Sequence, residues 1–63
     1  METKDILKKI NRDIIKAAKH GDLYCYWDIT GIPKEVVGDI MVTLEKEGKT
    51  IKSKGEKYKI IMW

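Results

Sequence analysis

Cysteine and histidine are almost absent from this chain. Cys25 is the only cysteine, so no disulfide forms within the chain. With His20 as the only histidine, no zinc-type spacing of ligands exists. A mini-protein stapled by metal or disulfides is therefore excluded. There is no phenylalanine, no glutamine and a single asparagine. Few thermolabile amides beside abundant Lys and Glu lean toward a thermophilic source. No apolar run approaches the roughly 20 residues of a membrane span. No glycine-rich phosphate loop is present, and the lone Cys and His are five residues apart on different expected elements. The sequence therefore reads as a non-enzyme, with no cofactor, no metal and no small-molecule substrate. One free cysteine without a signal segment fits the reducing cytoplasm.

What remains is a single small domain, residues 1–63. A chain of this length buries only about 60% of the surface its unfolded form exposes, so it depends on close packing or a partner. Its 13 basic residues exceed 10 acidic ones, for a net charge of +3. That balance permits a nucleic-acid partner without demanding one.

Hydrophobic periodicity outlines the elements. Thr3, Ile6, Leu7, Ile10, Ile14 and Ala17 fall on one helical face over residues 3–20, and Gly21 stops that helix. Thr3 is either its N-cap or its first inward residue. In "DLYCYWDIT", Leu23 to Cys25 suit a very short strand and Tyr26 to Thr30 a short helix closed by Gly31, although propensity leaves the stretch ambiguous. Pro33 then opens a long helix at its first position, and Gly48 ends it. Its core stripe is Val37, Ile40, Met41 and Leu44. Two β-rich runs, Thr50 to Ser53 and Lys57 to Met62, flank "KGE" as a hairpin with Gly55 in the turn.

This order, carried by "WDITGIPKEVVGDIMVTLEKEGK" and a lysine-rich hairpin, resembles the winged-helix superfamily over nearly the whole chain. Ile29, Gly31, Ile32, Leu44, Glu47 and Gly48 match its pattern. The resemblance implies an α+β winged helix-turn-helix: three helices, a small antiparallel sheet and a C-terminal hairpin wing. It also implies a DNA-binding regulator of transcription, with residues 33–47 as recognition helix. A second likeness, in "LYCYWDIT" and element order, is to the small winged-helix family that accompanies dissimilatory sulfite reductase. That one implies service to an enzyme complex.

The residues themselves point two ways. The outward face of the long helix carries Glu35, Gly38, Asp39, Val42 and Lys46, flanked by Thr43. Base readers favour Arg, Lys, Asn and Gln, and two carboxylates here would face phosphates. Positive charge lies instead on Lys4, Lys8, Lys9, Arg12, Lys16 and Lys19 of the first helix and on Lys49, Lys52, Lys54, Lys57 and Lys59 of the hairpin, where Glu56 is the only acid. Lysines alternating on an edge hairpin also block aggregation between sheets. The candidate nucleic-acid contacts are Lys34, Thr43, Lys46, Lys52, Lys54 and Lys57, gripping the backbone of DNA. The alternative is a protein-docking module using Gly38, Val42, Tyr24 and Trp27, with a homodimer as one form of it. Gly38 is either a site of close packing against Trp27 or Tyr26, or a flat spot for a partner. Ile15 either marks a dimer seam or packs beneath "IIMW". The aromatics Tyr24, Tyr26, Trp27, Tyr58 and Trp63 serve the core, a protein interface or base stacking. Asp22 and Asp28 beside the first three weigh against stacking.

Overall fold

A computed structural model describes residues 3–63 and has two helices and three strands in the order α1 (Thr3–Lys19), β1 (Tyr24–Asp28), α2 (Lys34–Lys46), β2 (Thr50–Lys54) and β3 (Tyr58–Met62). The strands form one antiparallel sheet in the order β1-β3-β2, which places β3 centrally. The α+β class is as expected. The three-helix winged helix-turn-helix is not, because no helix intervenes between β1 and α2.

The cause lies in residues 24–33. Tyr24 to Asp28 pair in register with Met62 to Tyr58 along their full length, and the Ile29 amide extends the ladder to the Lys57 carbonyl at 2.8 Å. Aromatic side chains suit this pleated surface. Two local bonds then end the strand. The Thr30 amide donates to Asp28 Oδ1 at 2.9 Å, and the Ile32 amide donates to the Ile29 carbonyl at 3.1 Å. Gly31, third in that four-residue turn, has φ +79°, the demand of a type II turn. Strand and turn consume the residues expected to form the short helix.

The two helices form as their periodicity predicts. Each closes with a glycine at positive φ followed by paired backbone bonds. In α1 the Gly21 amide reaches the Ala18 carbonyl and Asp22 reaches Ala17; in α2 Gly48 reaches Glu45 and Lys49 reaches Leu44. This is the Schellman arrangement, which satisfies otherwise orphaned carbonyls. Pro33 sits at the N-cap of α2, one place earlier than expected, with extended backbone.

Both helices pack on one face of the sheet. The core between the layers is Ile10 from α1, Trp27 from β1, Val37, Ile40 and Leu44 from α2, and Ile61 from β3. Each such side chain contributes about 1.5–3 kcal/mol relative to exposure. Ile6, Leu7, Ile14, Met41 and Ile51 pack around it.

Three alternatives left open by the sequence are narrowed here. Trp27, considered for a protein interface, is in the core at 7% exposure, because its strand position points to the helices. Gly38 makes no close packing with Trp27 or Tyr26: a Cβ built there meets nothing within 4 Å. Ile15 is 56% exposed and is not among the side chains packed against the core.

Candidate nucleic-acid interface

A strand presents alternate residues to opposite faces, so the same register that buries Trp27 and Ile61 turns their neighbours outward. The outward face of the sheet has three rows across the strands: Tyr24–Met62–Thr50, Tyr26–Ile60–Lys52 and Asp28–Tyr58–Lys54. Both helices lie on the opposite face, and no described residue covers this one. Tyr24, Tyr26 and Tyr58 remain 46%, 47% and 43% exposed, over a half-buried floor of Ile60 and Met62. Tyr24 and Tyr26 meet edge to face, with centroids 5.7 Å apart and planes at 77°.

Lys54 crosses this face. Its Nζ donates to the Tyr26 hydroxyl at 3.1 Å and stands 4.8 Å from the centroid of that ring. Lys52 is exposed beside Ile60. Because β2 is an edge strand, these lysines also discourage pairing with another sheet. Among the described residues Asp28 is the one carboxylate on the face. Hydrogen bonding from the Thr30 side chain and amide holds it below the usual carboxylate range, with Lys57 and Lys9 adding attraction.

At the hairpin end the cations continue around the molecule. Lys34, Lys57 and Lys59 line an open depression of about 510 Å³ between the start of α2 and the β2–β3 turn, with Glu56 also at its wall. Lys59 is tied down there, donating to Ser53 Oγ at 2.7 Å. Of the sequence candidates, Lys52, Lys54, Lys57 and Lys34 thus gather around the hairpin. Lys46 is at the far end of α2, about 18 Å from Lys34 at 1.5 Å per residue. Thr43 donates its hydroxyl to the Asp39 carbonyl at 2.9 Å and is engaged within its own helix. Gly38 and Val42 are open on the outer side of α2, beside exposed Glu35 and Asp39, and point away from the sheet.

Asp5, Asp13 and Asp28, with Lys9 and Tyr26, line a depression of about 520 Å³ between α1 and β1, so Asp28 borders both this depression and the open face. Cys25 lies nearby on the helix side; its burial, and then the Asp13 carboxylate, push its thiol pKa up. Among the described residues no group of three or more His, Cys, Asp or Glu has the geometry to hold a metal, and no helix is long and apolar enough to cross a membrane.

Tyr24 is a candidate from the sequence, and the strand register adds Tyr26 and Tyr58 on the same face. Comparison of the chain with known protein families, with characterised proteins and with solved structures finds no significant match, so the site is read from its own chemistry.

Proposed function

We propose that this protein binds nucleic acid, DNA first among the candidates, and grips the phosphate backbone with the lysines of the β2–β3 hairpin. The observation that carries this reading is the clustering of cations around the hairpin: Lys52 and Lys54 stand on the open sheet face and Lys57, Lys59 and Lys34 at the adjoining hairpin end, with Asp28 and Glu56 as the acids among them. A phosphate chain laid along β2 and the turn meets cations on both sides of the hairpin. Insertion of α2 into a major groove is disfavoured, since Glu35 and Asp39 are exposed on its outward face.

If Lys52, Lys54 and Lys57 each neutralise one phosphate, log affinity falls with log salt at a slope of about −2 to −3. Binding of a labelled oligonucleotide at several salt concentrations measures it. The double variant Lys54→Glu, Lys57→Glu abolishes binding at moderate salt. A salt-independent affinity, or a double variant that binds as tightly as the parent, refutes the reading.

One observation favours a second reading, a protein-docking module. Val42 is 54% exposed beside Gly38 on α2, an apolar step on an otherwise charged face. Val42→Lys separates the two: it disrupts docking on α2 and leaves nucleic-acid binding intact.

A further inference from the structure

We infer that the polymer is single-stranded and that its bases stack on Tyr24, Tyr26 and Tyr58 of the uncovered sheet face. This inference rests on the nucleic-acid reading above and adds what the phosphate contacts alone leave open: which form of nucleic acid is bound, and by which surface.

Three features converge on it. The three rings are on one face by strand register, and each keeps nearly half its surface exposed. An uncovered face with three rings and an apolar central strand, in a domain whose described residues bury only six side chains in the core, marks a binding surface. The charge around the rings chooses the occupant. Lys52 and Lys54 are on the same face, and its one carboxylate among the described residues, Asp28, is at the end and accepts the Thr30 amide. Aromatic rings interleaved with cations form platforms for unpaired bases, whose flat faces are free. In a duplex those faces are hidden within the stack, so the rings would gain nothing from it.

Lys54 is the third feature. Its ammonium already stands 4.8 Å from the Tyr26 centroid. Both side chains are exposed, so a base displaces the ammonium from the ring at little cost. The displaced cation is then within reach of that nucleotide's own phosphate. One residue thereby serves the free and the bound protein.

Fluorescence anisotropy tests this with labelled oligothymidine and oligouridine of about 15 nucleotides, near the upper site size of one such module, and with a duplex of equal length. We expect both single strands to bind more tightly than the duplex, and a difference between them to show a DNA or RNA preference. Tyr26→Leu and Tyr58→Leu each weaken single-strand binding by roughly 5- to 150-fold and weaken duplex binding far less. Tyr26→Phe retains single-strand affinity. It loses the hydroxyl bonded to Lys54 as Tyr26→Leu does, so the difference between them isolates the ring. Leucine variants that bind single strands as the parent does overturn the inference, even where Lys54→Glu, Lys57→Glu loses binding and the phosphate reading stands. Absence of low-salt binding to any of the three polymers overturns both. Sedimentation at twice the 7.3 kDa chain mass, reversed by Tyr58→Lys, assigns the face to a second copy and also overturns it.

Discussion

Replacing Gly38 with alanine should make this protein more stable, because this glycine is inside a helix without a packing role there. Gly38 is in the middle of α2, and a Cβ built on it meets no atom within 4 Å. Its φ is not positive, unlike that of the other four glycines. The methyl group therefore meets neither a clash nor a strained backbone. What changes is helix propensity, worth about 0.8–1.0 kcal/mol in favour of alanine, in part through a less disordered unfolded chain. In a domain of this size 1 kcal/mol moves Tm by about 4–8 °C. Thermal and urea unfolding followed by circular dichroism measure the gain, with an unchanged m-value showing that stability alone has moved. Nucleic-acid affinity stays constant, because the outer side of α2 points away from the open sheet face. An unchanged or lower Tm would refute the reasoning, since it would require a contact or a helix distortion that α2 lacks here.

Other perturbations probe the core and the two shifted groups. Leu44→Ala removes a fully buried side chain at a cost of about 2–5 kcal/mol; a domain of this length has only about 3–9 kcal/mol of stability, so urea denaturation should find the variant at the edge of unfolding. Asp28 has its carboxyl pKa lowered in the folded state by Thr30. Its contribution is therefore present above the ordinary carboxylate pKa and lost as pH falls through the lower folded-state value. An NMR acid titration should show the Thr30 amide shifting below the ordinary range, and a midpoint at the ordinary value would contradict this. Cys25, with its thiol pKa raised by burial and Asp13, should alkylate far more slowly than an unfolded control at neutral pH. Mass spectrometry after iodoacetamide treatment checks it, and equal rates would contradict it.

Some of this architecture was legible in local signals. Gly21 and Gly48 end helices whose apolar stripes have the helical period, and Gly55 marks the hairpin. These features depend on residues close in sequence. The stretch from Tyr24 to Ile32 was not legible in the same way. Tyr26 to Thr30 suits a short helix by itself, and becomes strand and turn because β3, some 30 residues later, pairs with it. The candidate site divides along the same line. Lys52, Lys54 and Lys57 announce themselves by charge. The tyrosine face required the register, because alternation assigns residues to two faces without saying which one the helices cover. Trp27 and Tyr26 look equivalent in the sequence, yet one is in the core and the other is open to solvent.

The most direct test of the open sheet face as the binding surface is a two-dimensional NMR titration of isotope-labelled protein with a single-stranded oligonucleotide at low salt. The account predicts the largest shifts in β1, β3 and the β2–β3 hairpin, centred on Tyr26, Tyr58, Lys52 and Lys54, and small shifts along α2. Shifts concentrated on Glu35 to Lys46 would contradict it, and so would a spectrum that the oligonucleotide leaves unchanged.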